Sequence, residues 1–219
     1  MANVSSSRWD DQIAVPEVVV GRLPQYVRVL KELLSHGVQV ANSQQLGQQL
    51  QVTSAQIRKD LSYFGRFGKQ GRGYSVVHLL DELQHILGLN RQWNVVVIGV
   101  GRLGRAILSY PGFTPDGFHI VAALDNNPSL IGQKVEGVMV RPVEDLDLVV
   151  KEQNITIAVV AVPVGSTQQV VDKLVNCGIG AILNYAPSSP QVPDSVKIRS
   201  IDPVLSLQSM TYYLTNGGE

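Results

Sequence analysis

Three glycines, Gly99, Gly101 and Gly104, stand in the spacing G-x-G-x-x-G directly after the apolar run 95–98. In that arrangement the first glycine permits a tight turn, the second lets a pyrophosphate approach the backbone, and the third lets helix and strand pack closely. Val100, Arg102 and Leu103 occupy the variable positions, and residues 105–110 can continue as a helical turn or two. The start of such a helix offers free N–H groups and partial positive charge to phosphates. A second apolar run, 119–124, ends in Asp125, 21 residues beyond Gly104. A carboxylate there accepts hydrogen bonds from a ribose 2′-OH and repels a 2′-phosphate, which favours NAD over NADP. Arg102 and Arg105 nearby keep a phosphorylated ribose or coenzyme A as the alternative ligands.

Two further strand ends carry candidate ligand contacts: Val162-Pro163 after Ala161, and Asn184 with Pro187 in Asn-Tyr-Ala-Pro. Open α/β sheets hold ligands at the carboxyl ends of their strands, although either segment serves equally well as an ordinary strand exit. Catalytic groups do not accompany this set. The four histidines, His36, His78, His85 and His119, are scattered and form neither H-x-H nor H-E-x-x-H. There is no Tyr-x-x-x-Lys pair, and Cys177 lies among Val170, Val171, Leu174 and Val175 as a core residue would. A dehydrogenase needs a positioned proton donor or acceptor, so a cofactor fold without one reads as a sensor. No metal site is expected.

A second constellation lies upstream. Across residues 56–74, Arg58, Lys59, Arg66, Lys69 and Arg72 face only Asp60, a local surplus of four positive charges. Residues 43–50 read as a short helix with Leu46 and Leu50 on one face, followed by a tight connection at Gln51-Val52. Thr53 opens a second helix, and Thr53-x-x-Gln56 matches a capping box. Ile57, Leu61 and Phe64 would pack inward, leaving Ser54, Gln56, Arg58, Lys59, Ser62 and Tyr63 on other surfaces. Such a pair of helices can place the second in a DNA major groove. The glycine-rich segment 65–74 follows as a hairpin anchored by Phe67 and Tyr74. Its Lys69 and Arg72 sit near the tip, within reach of phosphates or a minor groove.

These groups need two kinds of scaffold. Before Asn90 the apolar period is helical (Leu23, Val27, Leu30, Leu34; then Val76, Leu80, Leu83, Leu87), with Gly88 as a helix stop. After Arg91, β-branched runs at 94–98, 119–124 and 156–162 alternate with helical or loop stretches at 143–153 and 166–177, the pattern of a parallel α/β sheet. A boundary is expected near residues 89–92. The 219 residues, 44% hydrophobic, suffice for two small domains. Their zero net charge is the sum of +2 before the boundary (9 basic, 7 acidic) and −2 after it (9 basic, 11 acidic). A single cysteine rules out an intrachain disulfide and suits a reducing cytoplasm. The N-terminus reads as lacking a signal peptide, and no apolar run approaches the roughly 20 residues of a membrane span.

Taken together, the two halves resemble the Rex family of redox-sensing repressors from about residue 15 to 214. The matching segments include Arg22-Leu23-Pro24-x-Tyr26, the run 56–65 (Gln-Ile-Arg-Lys-Asp-Leu-Ser-Tyr-Phe-Gly), Phe67-Gly68 and Gly73-Tyr74. The glycine motif, Tyr110-x-Gly112-Phe113, Ala161-Val162-Pro163 and residues 184–187 match as well. The run 56–65 is highly specific, whereas the glycine motif alone is not. Arg102 stands where the family often has Asn, and Pro203 follows Asp202 where Leu is usual.

The resemblance implies a homodimer that binds inverted-repeat operator DNA when NADH is scarce and releases it when NADH binds. It also implies an arginine matching Arg22 that pairs across the dimer with an aspartate matching Asp202, and a tyrosine matching Tyr110 in the same switch. The expected organisation is a flexible head at 1–14 and a winged helix-turn-helix domain at 15–90, with the helix-turn-helix at about 25–64 and the wing at about 65–76. A Rossmann NAD(H)-binding domain follows at 91–203, then an exchanged C-terminal helix and tail at 204–219. The alternatives are a small NAD(P)-dependent oxidoreductase and a coenzyme-A-binding regulator.

Overall fold

The computed structural model describes residues 15–69 and 73–216. The head at 1–14, the wing residue Arg72 and the final Gly-Gly-Glu lie outside the described residues. The chain divides into two compact units, 1–90 and 91–219.

The first unit begins with α1 (Glu17–Ser35), whose Leu23, Val27 and Leu30 recur at helical spacing and are buried. A short strand, β1 (Val40–Ala41), leads into α2 (Ser43–Leu50) and α3 (Ser54–Ser62). Then come β2 (Gly68–Lys69), β3 (Gly73–Ser75) and α4 (Val76–Ile86). The three strands form an antiparallel sheet in the order β1-β3-β2, with β2 and β3 as the arms of a wing. Gln51 turns the chain between α2 and α3 in the left-handed region, at φ 55°. The turn closes against Gly47, where a Cβ would lie 2.5 Å from the Val52 carbonyl oxygen. Ile57 and Leu61 pack with α1 and α4 residues in one core, and Phe64 lies against it half-buried.

The helix caps correct one sequence expectation. A reciprocal capping box does form, but on α2: the Asn42 side chain accepts the Gln45 N–H, and Gln45 accepts the Asn42 N–H, both at 2.9 Å. On α3, Thr53 accepts the Gln56 N–H at 3.1 Å. The Gln56 side chain does not return to Thr53; it is drawn to Asp60.

The second unit holds β4 (Trp93–Ile98), α5 (Arg102–Leu108), β5 (Phe118–Asp125), β6 (Lys134–Val135), β7 (Val138–Pro142), α6 (Leu146–Glu152) and β8 (Ile157–Val160). It continues with α7 (Val164–Asn176), β9 (Ala181–Asn184), β10 (Lys197–Ser200) and α8 (Pro203–Asn216). The sheet runs β10-β9-β8-β4-β5-β7-β6 and is parallel throughout except for β6 at its edge. The six parallel strands have the doubly wound Rossmann order, with the topological switch between β4 and β8. Both faces of β4 are covered. Val96 and Ile98 pack with Leu146, Val149, Val171 and Leu174 from α6 and α7, whereas Val95 and Val97 pack with Ile107 from α5. That two-sided burial explains the unbroken apolar run at 95–98.

Candidate functional site

On α3, Arg58 and Lys59 are exposed, while Ser54, Gln56 and the following Tyr63 are half-buried. The Arg58 Nη1 donates to Ser43 Oγ at 3.1 Å, tying the exposed face of α3 to the first residue of α2. On the wing, the Tyr74 ring covers Gly68, where a Cβ would meet it at 2.9 Å. Burial pushes the Tyr74 phenol up, and the nearby positive charge of Arg58 pulls against that rise. Lys69 takes its place in β2.

Asp60, counted above as the lone acid offsetting this basic segment, is 0% exposed. Arg22 donates to it from Nε at 2.6 Å and from Nη2 at 2.7 Å, Tyr26 Oη at 2.5 Å, and Gln56 Nε2 at 2.6 Å. Burial alone would raise the carboxyl, but the hydrogen bonds from Arg22, Tyr26 and Gln56 outweigh it and hold Asp60 below the usual range. Arg22 and Asp60 neutralise each other, so the exposed charge of Arg58 and Lys59 is uncompensated by Asp60. The cross-dimer role expected for Arg22 from the resemblance therefore meets a guanidinium already engaged within its own chain.

In the second unit, a cleft of about 580 Å³ opens at the carboxyl ends of the strands beside the switch point. That volume suits a small-molecule site. Of the residues expected from sequence, Gly99, Gly101, Arg102, Leu103, Asp125, Val162 and Pro163 line it. Gly99 turns at φ +93°, and a Cβ there would lie 2.6 Å from the Ala161 carbonyl oxygen. At Gly104 a Cβ would collide with the Gly99 carbonyl oxygen, so this glycine seats α5 against the turn. Gly101 differs: a Cβ there would meet no protein atom within 4 Å. Open space beside a backbone at the cleft is what a pyrophosphate requires. Asp125 accepts the Val100 N–H at 2.6 Å and the Asn127 N–H at 2.8 Å. Each carboxylate oxygen retains a lone pair for a ligand hydroxyl.

Four of the expected residues are not among those lining this cleft: Val100 is buried in the core, Gly104 packs α5 against the turn as the motif predicts, and Asn184 and Pro187 lie at the end of β9 and just beyond it. Asn184 is fully buried, its Nδ2 within reach of the Ala186 and Ser188 carbonyls and Ser200 Oγ, its Oδ1 accepting the Ala186 N–H. It shapes the exit of β9. Conversely, Asn127, Leu130, Val143 and the α7 residues Ser166, Gln169 and Lys173 line the cleft and were not read from sequence. Their three-to-four spacing on α7 was visible, but not which face it presents. Tyr110 is 60% exposed and meets Phe113 edge-to-face, ring centroids 5.3 Å apart. Asp202 Oδ1 accepts the Val204 N–H at 2.9 Å and caps α8. Among the described residues, no cluster of three or more His, Cys, Asp or Glu is placed to hold a metal, and no helix is long and apolar enough to cross a membrane.

A winged helix-turn-helix joined to a Rossmann sheet with an open switch-point cleft defines the architecture of a ligand-responsive transcriptional regulator. Family models agree in both units: residues 14–62 match "Putative DNA-binding protein N-terminus" and residues 90–188 match "CoA binding domain". The redox-sensing transcriptional repressor Rex of Roseiflexus sp. (strain RS-1) is 53% identical over 91% of this chain and 90% of its own length. That of Streptomyces coelicolor is 38% identical, over 91% and 77%. The crystal structure of RSP in complex with β-NAD+ and operator DNA superposes with a TM-score of 0.88 at 38% identity, covering 94% of this chain and 95% of that one. RSP in complex with β-NADH gives 0.84 at 36%, covering 94% and 97%. The chain belongs to the Rex family of redox-sensing transcriptional repressors.

Proposed function

We propose that this chain is a cytoplasmic, non-enzymatic repressor that holds inverted-repeat operator DNA as a homodimer and lets go when its cleft takes up NADH. The observation that carries this reading is the Asp125 carboxylate in a cleft beside an open Gly101, in the same chain as a winged helix with exposed Arg58 and Lys59. The solved relative RSP supports it, having been crystallised with operator DNA and with either redox form of the nucleotide.

Asp125 would hold a ribose hydroxyl, the backbone at Gly101 a pyrophosphate, and Arg102 and Lys173 would add positive charge at the cleft wall. The nicotinamide of NADH is neutral where that of NAD+ carries a positive charge, and this is the difference a redox sensor must read. Arg58 and Lys59, with Lys69 and Arg72 on the wing, are the proposed DNA contacts, supported by Ser54 and Tyr63. Tyr110 and Asp202 are retained as switch residues.

Pairing of two chains is supported by α8. Val204, Leu205, Leu207, Met210, Tyr213 and Leu214 are all exposed along it, Leu214 to 83%. So many exposed apolar side chains on one helix call for a covering surface, which exchange onto a second copy provides. The direct test is titration of an operator complex with NADH, NAD+ and coenzyme A. Release by NADH at far lower concentration than by NAD+ is the expected outcome. Equal release by both, or release by coenzyme A alone, would overturn the redox-sensing reading.

A further inference from the structure

Among the described residues, Asp60 is the one charged side chain that is buried. It lies in α3 directly beside the exposed Arg58 and Lys59, yet it faces inward with Ile57 and Leu61. Donors reach it from two helices: Arg22 and Tyr26 from α1, and Gln56 from the preceding turn of α3. Apolar contacts at Ile57 and Leu61 set how deeply α3 sits, but they are non-directional. A bidentate arginine-carboxylate pair is directional. Side chains reach about 6 Å from a helix axis, so a rotation of about 20° moves their ends by about 2 Å. That is enough to break a hydrogen bond to a base edge.

We infer that Asp60 is a positioning residue for DNA reading: clamped by Arg22 and Tyr26, it fixes the rotation of α3 and hence the aim of Arg58 and Lys59. Gln56 is a strut in this clamp and not a base reader. One of its two amide N–H donors is committed to Asp60, which ties the amide to the clamp instead of leaving it free to turn its donor–acceptor pair to an adenine. The inference rests on α3 being the DNA-contacting helix.

The test uses the full-length chain, a duplex selected by the wild type from a randomised pool, and a scrambled duplex of equal length. Asp60→Asn, Tyr26→Phe and Gln56→Ala are compared with wild type on both duplexes, with NADH affinity as a measure of the second unit. Asp60→Asn is expected to lower the selected-to-scrambled preference by about tenfold or more, the scale of one base contact, and Tyr26→Phe by less. Binding to the scrambled duplex and to NADH should stay at wild-type strength. Gln56→Ala should select the same bases as wild type.

A purely structural role would weaken both duplexes alike, and that result overturns the inference. So does an unchanged preference in Asp60→Asn, or a changed base choice in Gln56→Ala. Should Asp60→Asn fail to fold, Tyr26→Phe decides by the same criteria. A wild-type chain that selects no sequence at all would remove the DNA reading itself, a failure distinct from these.

Discussion

The Asp125 carboxylate receives the backbone N–H of Val100 at 2.6 Å, so the acid ending β5 and the glycine turn after β4 are locked to each other. The residue that would hold the ribose also holds the loop that would face the pyrophosphate. Asp125→Ala is therefore expected to weaken NADH by roughly tenfold to a hundredfold, the scale of losing charge-assisted hydrogen bonds. Asp125→Arg should weaken NADH and admit NADPH. Calorimetric titration with both nucleotides checks this, and unchanged affinities would remove Asp125 from the site.

Tyr110 lies over Gly112, where a Cβ would collide with its ring. Gly112→Ala must displace the ring from its edge-to-face contact with Phe113. With Tyr110 in the switch, the NADH concentration that half-releases operator should shift by about fivefold or more, within the usual range of coupling energies. Fluorescence anisotropy of labelled operator reads that shift.

Arg58→Ala and Lys59→Ala separate phosphate contacts from base contacts. Loss of a phosphate contact lowers the slope of log K against log salt by about 0.9, whereas loss of a base contact leaves the slope and relaxes sequence choice. Each substitution should produce one signature or the other. If both bind the selected duplex normally at every salt concentration, α3 does not face DNA.

Placing charge on α8, as in Leu207→Glu with Leu214→Glu, should shift the protein to single chains in sedimentation equilibrium. Both side chains are exposed in the isolated chain, Leu207 to 61%, so a loss of pairing reports the covering surface and not the core.

The clamp on Asp60 predicts a pH dependence with a definite sign. Its carboxyl is held down in the folded state against the cost of burial. Its contribution to stability is full above the free value of about 3.9 and drains away as pH falls below that through the folded value. At pH 7, Asp60→Asn should be less stable than wild type by roughly 2 kcal/mol. The gap should narrow as pH falls below about 4, as read from urea unfolding at each pH.

The Rossmann unit was legible because its signals are local. An apolar strand, three spaced glycines and an acid at the next strand end can be read in about thirty residues, and Gly99, Gly101 and Asp125 do line one cleft. The pairing of Arg22 with Asp60 spans 38 positions and has no local signature. Asp60 thus looked like one more surface charge, and Gln56 like the second half of a cap. Asn184 was ambiguous for a related reason. An asparagine at a strand end suits either a ligand or a turn, and its bonds to Ala186, Ser188 and Ser200 show the turn it holds without deciding on a ligand. Lys173 and Gln169 needed the packing of α7 to reveal which of its faces meets the cleft.

The bare helix α8 also has a genetic consequence. On the proposed pairing through α8, a chain that keeps α8 but has lost Arg58 and Lys59 would still recruit intact chains, producing pairs with a single working reading head. Expressed beside the wild type, such an allele should act dominantly, and equal amounts of the two would leave only about a quarter of the pairs fully intact by random assortment. Deleting α8 from the same allele should make it recessive.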